Sequence, residues 1–166
     1  MGSAGAELLP TLERVEAKAA VVVERALGDG AYGSGKNRAA CANHIKHPVD
    51  LVSPLSRPRD PEVDKSAFQI DLEAKMATCP RGHTAKGCVG SGGDGKPTLR
   101  FIFSRAECEA CDLFERFLRS QKAGRSVNTH PYEVHLQSAR QRPHTEEYNK
   151  ANRPRAAVER KIAEQV

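Results

Sequence analysis

The sequence predicts an α/β fold interrupted by a small β-rich segment. Three observations predict it. A helix-spaced apolar run leads into Val21-Val-Val23, and a second apolar run, Val49-Asp-Leu-Val52, follows a glycine break and a short helical stretch. Period-two alternation then takes over at Phe68, Ile70 and Leu72, and again at Leu99, Phe101 and Phe103. From Pro131 onward the chain returns to basic, helix-forming sequence.

Taken in order, residues 6–26 place Leu8, Leu9, Leu12, Val15 and Ala19 at helical spacing, so a helix is expected to run toward a strand ending near Asp29. Gly30, Gly33 and Gly35 break the chain. A second helix is expected over Lys36 to His44 and a strand over Val49–Val52. Such a unit puts a polar turn at the carboxyl end of its first strand, where open α/β sheets carry ligand sites. Residues 53–66 read as a proline-punctuated linker. Between the two alternating segments lies Cys79 to Gly95, ending in the glycine-rich Gly90–Gly95 tip. A helix over Glu107–Ser120 would gather Leu113, Phe114, Phe117 and Leu118 on one side. Gly124–Asn128 reads as a strand returning to the first sheet. Pro143 and Pro154 then divide the closing helical region. Pro154 suits a first helical turn, and the helix that follows reaches Val166 without a stop signal, as expected of a shortened chain.

Composition narrows the partners. Among 166 residues, 39% are hydrophobic, 5% are aromatic and none is Trp, which predicts a thin core. A net charge of +5 favours a polyanionic partner. The shortage of aromatics argues against a base-stacking single-strand binder. No run approaches the ~18 apolar residues of a membrane span, and the start lacks the features of a signal peptide. The expected location is the cytoplasm, with no membrane partner. Disulfides are disfavoured there, so the five Cys are expected as free thiols or metal ligands.

Four motifs bear on chemistry. Leu27-Gly-Asp-Gly-Ala-Tyr-Gly-Ser-Gly35 presents Asp29 at a strand end among glycines. A carboxylate there can meet a metal, and it can equally serve a plain Asp-Gly turn. Gly30 to Asn37 nearly spells a phosphate-binding P-loop, but Asn37 follows Lys36 where a magnesium-binding Ser or Thr is needed. Arg153-Pro-Arg-Ala-Ala-Val-Glu-Arg-Lys161 sets Glu159 among cations, with Arg155 one helical turn before it. That pattern suits phosphate binding beside a metal-holding carboxylate, and equally an ordinary surface ion pair. Finally, Cys79-Pro-Arg-Gly-His83 and Cys108-Glu-Ala-Cys111 form two short ligand-bearing turns, a candidate zinc site. Cys88 is an alternative to His83, and Cys41 reads as a buried thiol. His44, His47, His130, His135 and His144 read as surface or structural residues.

Together the glycine-bracketed Asp29 and the basic segment around Glu159 resemble the second Asp and the final Glu of DDE transposases from bacterial insertion sequences. Tyr148, Arg155 and Glu159 follow the order of the Tyr, Arg and Glu on the last catalytic helix of that family, with Arg153 as an alternative for the Arg. Cys-Pro-x-Gly-His and a later Cys-x-x-Cys also occur in insertions of this transposase branch. Members often carry a further Cys where this chain has Phe117.

The resemblance implies a partial ribonuclease-H-like core interrupted by a small, β-rich, zinc-ribbon-like insertion. The core would comprise residues 1–52 and 125–166, and residues 53–124 would form the linker and cysteine-containing insertion. It implies Mg²⁺ held by Asp29 and Glu159, backbone contacts from Tyr148, Arg153, Arg155 and Lys161, and a structural Zn²⁺ at Cys79, His83, Cys108 and Cys111. DNA is the implied substrate, and a second copy or an intact transposase the implied protein partner. Asp29 is the first Asp in the sequence. The family's first catalytic Asp therefore has no counterpart, and a C-terminal transposase fragment, inert alone, is expected. The competing reading is a non-catalytic, zinc-stabilised basic module that grips DNA.

Overall fold

A computed structural model describes residues 7–92, 95–117, 124–146 and 148–150. The chain is a mixed α/β protein of two compact units, residues 1–56 with 134–166, and residues 57–133. Among the described residues, no helix is long and apolar enough to cross a membrane.

In the first unit, α1 (Leu8–Ala19) precedes β1 (Arg25–Leu27), α2 (Gly35–Ala42) and β2 (Asp50–Val52). β1 and β2 pair in parallel, with Arg25 opposite Asp50, Ala26 opposite Leu51 and Leu27 opposite Val52. Leu8, Leu9 and Leu12 of α1 close over a small core of Cys41, Val49 and Leu51, joined by Val23 and Ala26. The helix ends where Ala20 takes a left-handed conformation. The strand lies at Arg25–Leu27, ending near Asp29 as the sequence predicts. Val21 and Val22 are 50% and 65% exposed, so this β-branched run connects the elements and does not fill the core. Glu16 anchors the connection by accepting from the Val23 amide at 2.9 Å.

The second unit is one antiparallel sheet of order β3-β4-β5-β6-β7. Its strands are β3 (Gln69–Asp71), β4 (Met76–Thr78), β5 (Thr84–Ser91), β6 (Pro97–Ile102) and β7 (Ser126–Asn128). Strands alternate across the pleat, so Phe101 and Phe103 point inward while Ile102 is 54% exposed. The buried face gathers Phe68, Ala77, Ala85, Phe101, Phe103, Cys108 and Val127. The Phe101 ring lies over Gly87, its cross-strand partner. A Cβ at Gly87 would come within 2.7 Å of the Phe101 ring, so glycine makes room for the largest fully buried side chain.

Two expectations need correction here. The strand near 124–128 does not return to the first sheet. β7 pairs with β6, placing Val127 opposite Phe101, and Val127 thereby caps the core that Phe101 begins. The compact unit that contains β7 runs to Glu133. The single helix expected over Glu107–Ser120 is broken. α3 (Arg105–Glu109) and α4 (Phe114–Phe117) flank a turn in which the Cys111 amide donates to the Cys108 carbonyl. The turn buries Leu113, which a continuous helix would have shared with its neighbours. The remaining helix, α5 (Glu133–Gln141), begins at the unit boundary.

Phe101→Ala is expected to destabilise the 57–133 unit by about 3–5 kcal/mol, and Gly87→Ala by about 1–3 kcal/mol through overpacking. Denaturant unfolding followed by circular dichroism reads both, and a loss below ~1 kcal/mol for Phe101→Ala would remove it from the centre of this core.

Candidate functional site

Asp29 stands just beyond the carboxyl end of β1 and is exposed. Its Oδ1 accepts from the Ala31 amide at 2.8 Å, closing a one-turn 3₁₀ segment, Gly30–Tyr32. Among the described residues no hydrogen bond reaches its Oδ2. The backbone beneath is fixed from two sides. Ser53 donates its hydroxyl to the Asp29 carbonyl at 2.5 Å. Arg38, only 7% exposed, donates to the carbonyls of Gly33 at 3.0 Å, Ser53 at 2.5 Å and Leu51 at 3.4 Å. Gly33 packs so closely that a Cβ would sit 2.5 Å from the Pro54 carbonyl oxygen. Ser34 then caps α2, accepting from the Asn37 amide at 3.2 Å.

The sequence pointed to Asp29 but gave no sign of Arg38 or Ser53, which hold its loop. Arg38 sits among small residues in a short helix, and nothing in that pattern announces a buried cation. Desolvation pushes its pKa down, and the neighbouring Arg142 adds to that. Tyr148 pulls the other way, so the Tyr expected to contact DNA lies within electrostatic reach of Arg38. The Tyr148 amide donates to the Thr145 hydroxyl at 3.2 Å. Arg153, Arg155, Glu159 and Lys161 lie outside the described residues.

In the second unit, Cys79, His83, Cys108 and Cys111 all line one cavity of about 20 Å³. Two tight turns bring them there. The Gly82 amide donates to the Cys79 carbonyl at 2.9 Å, and the Cys79 amide to the His83 carbonyl at 2.8 Å. Across the cavity, the Cys111 amide donates to the Cys108 carbonyl at 3.1 Å. The Arg125 amide donates to the Cys108 sulfur at 3.4 Å. The other two cysteines lie elsewhere. Cys88 is exposed on β5 and does not line the cavity. Cys41 is fully buried in the other unit, where desolvation pushes its thiol up. The four donors share a cavity, but among the described residues no three His, Cys, Asp or Glu side chains already stand in coordinating positions.

A charged clip ties the two turns together. Arg81 grips Asp112 with Nε to Oδ1 at 2.8 Å and Nη2 to Oδ2 at 2.5 Å. This bidentate geometry is specific to Arg. The Arg81 hydrogen bonds hold the Asp112 carboxyl at about 2, far below its ordinary range. Beside it, His83 Nδ1 lies 3.5 Å from Glu107 Oε1.

Comparison with protein families gives a match to the transposase DDE domain over residues 78–166. The chain belongs to the transposase DDE family. The matched segment contains Cys79, His83, Cys108 and Cys111, α5, Tyr148 and the basic stretch around Glu159, whereas Asp29 precedes it. Neither the curated proteins nor the solved structures give a match.

The clip in this transposase domain yields a pH prediction. A depressed carboxylate pKa means that its stabilising contribution is complete above the unfolded value of ~3.9 and disappears as pH falls through the folded value. Carboxyl NMR titration should find Asp112 at about 2. In Arg81→Ala it should return toward ~3.9; an Asp112 value unmoved by that substitution would discard the clip.

Proposed function

We propose that the chain supplies part of the catalytic core of a DDE transposase, acting on DNA phosphodiester bonds. The family match over the segment holding Glu159 carries this reading. Support comes from Asp29, whose exposed carboxylate stands at the carboxyl end of a parallel strand with Oδ2 available to a metal. Such strand ends are where α/β sheets hold ligands, and the parallel β1–β2 pair suits a partial ribonuclease-H-like core. When bound as a pair, Mg²⁺ ions would activate water or a DNA 3′-hydroxyl and neutralise the leaving oxygen. Asp29 and Glu159 are the residues that would hold them. Tyr148, Arg153, Arg155 and Lys161 would orient the backbone phosphates with little base specificity.

This chain brings two of the three carboxylates, because no Asp precedes Asp29. Two acids hold a metal pair weakly, so the chain alone is expected to leave supercoiled plasmid intact in Mg²⁺ or Mn²⁺. Nicking above background that disappears in Asp29→Ala would refute the inert reading.

The cysteine cavity we assign to a structural zinc. Cys79, Cys108 and Cys111 with His83 make a Cys₃His set, a recognised four-coordinate zinc combination, and they converge on one cavity without Cys88. Zinc there would join the two turns and steady the 57–133 sheet. Metal analysis of reduced, chelator-free protein should find about one zinc per chain. Occupancy should fall in Cys111→Ser and persist in Cys88→Ser, and metal-free wild-type protein would end this assignment.

A second reading, the non-catalytic zinc-stabilised DNA-binding module, is favoured by one observation. Asp29 already serves its own turn through Oδ1. Line broadening by Mn²⁺ separates the two, since only the transposase reading places the metal beside Gly28–Gly33.

A further inference from the structure

The first unit contains a cleft of about 140 Å³ lined by Arg38, Asp50, Leu51, His135, Ser138 and Arg142, among others. One water needs only ~10–15 Å³ of such space, so a tetrahedral oxyanion fits. α5 contributes His135, Ser138 and Ala139 at the spacing of a single helix face, and Arg142 follows one turn later. Opposite them stand Arg38 of α2 and the residues of β2.

The charges in this cleft do not balance. Arg142 binds Asp50 through Nη1 to Oδ1 at 2.7 Å and Nη2 to Oδ2 at 2.9 Å. Arg25 reaches the same carboxylate at 2.7 Å. Burial works against the charged Asp50, yet these hydrogen bonds hold its pKa below the ordinary range. Asp50 is the only acid lining the cleft among the described residues. Arg38 has no carboxylate partner there and bonds only to backbone carbonyls. Moreover, Arg38 Nη1 and Arg142 Nη1 each lie 3.4 Å from the Leu51 carbonyl oxygen. Two like charges thus converge on one neutral oxygen, with one carboxylate between three guanidiniums. A guanidinium offers five N–H donors, and both side chains keep donors beyond those bonds.

We propose that this cleft is an oxyanion site that seats one phosphodiester group of the DNA backbone, with Arg38, Arg142 and Ser138 as donors. The proposal rests on the DNA-directed reading above and gives it a contact point outside the expected Tyr148, Arg153, Arg155 and Lys161. His135 at the rim supplies a further donor. An anion here supplies the missing negative charge and bridges α2, β2 and α5.

The test substitutes Ser138, which is exposed at the cleft and makes no hydrogen bond that the fold needs among the described residues. Ser138→Asp places a carboxylate where the phosphate would sit. Inorganic phosphate is expected to raise the melting temperature of the full wild-type chain and to leave Ser138→Asp unmoved. Without phosphate, Ser138→Asp should melt no lower than wild type, because it relieves the same charge excess. With a short DNA duplex, the slope of log affinity against log salt should fall by about one in Ser138→Asp, as for one lost phosphate contact. Ser138→Ala controls for packing and should retain most of the phosphate response.

Absence of any phosphate stabilisation in wild type overturns the oxyanion site. Phosphate stabilisation with an unchanged salt slope overturns the backbone assignment and leaves a site for free phosphate. If wild type binds no DNA while the phosphate response stands, the DNA-directed reading fails and the oxyanion pocket survives.

Discussion

One buried guanidinium organises the first unit. Arg38 lies where β1 and β2 end, and its donors reach the carbonyls of Gly33, of Leu51 within β2 and of Ser53 just beyond it. Removing a charge from water is costly, and charge-assisted bonds to carbonyls offset part of that cost. Lysine could not do the same, because its three donors radiate from one point while the planar fork spans separated acceptors. Once Arg38 is in place, Gly33 and Ser53 are fixed, and Ser53 in turn holds the backbone of Asp29. The candidate catalytic acid is thus held by its scaffold and not by its own side chain alone. The same cation creates the charge excess of the neighbouring cleft. A scaffold that positions one group and leaves positive potential beside it suits an anionic polymer better than a small neutral substrate.

The second unit solves a different problem. A thin apolar supply must cover one face of five short strands, and it does so by pairing the largest ring with the smallest residue. Phe101 fills the space that Gly87 leaves, while Ala77 and Ala85 keep the adjoining strands close. The cysteine cavity adjoins this core, with Phe68, Phe103 and Leu113 among its walls. Apolar walls lower the dielectric around sulfur and strengthen whatever electrostatic bonds form there. The Arg81–Asp112 clip stands at the wet rim, where its energetic contribution is small. Its consequence is geometric, since it joins the Cys79–His83 turn to the Cys108–Cys111 turn.

Legibility followed the range of the interactions. Elements set by local periodicity, such as α1, β2 and the alternation through Phe101 and Phe103, could be read from the sequence. The Cys and His pairs were legible too, because short turns fix their geometry locally. What escaped was decided by partners distant in sequence. β7 was assigned to the wrong sheet because Val127 reveals its role only when opposite Phe101. The valines at 21–23 have strong β preference, yet the register of β1 is dictated by Asp50–Val52. Arg38 looks like an ordinary surface charge until the chain folds back and buries it, and Asp50 until Arg25 and Arg142 close on it. That His83 lines the cavity and Cys88 does not likewise required the sheet, because Cys88 sits exposed on β5.

The Asp29 carboxylate also shows why a turn residue and a metal ligand need not compete. Its two oxygens do different work: Oδ1 is committed to the Ala31 amide, and Oδ2 has no partner among the described residues. The amide bond restricts rotation of the side chain, so Oδ2 is presented with little freedom left to lose. A divalent ion meeting such an oxygen gains from that preorganisation, in the way any ordered ligand does. Occupancy, however, depends on how many carboxylates converge. Each added acid repels the others in the absence of metal, and the ion repays that repulsion only when enough of them meet.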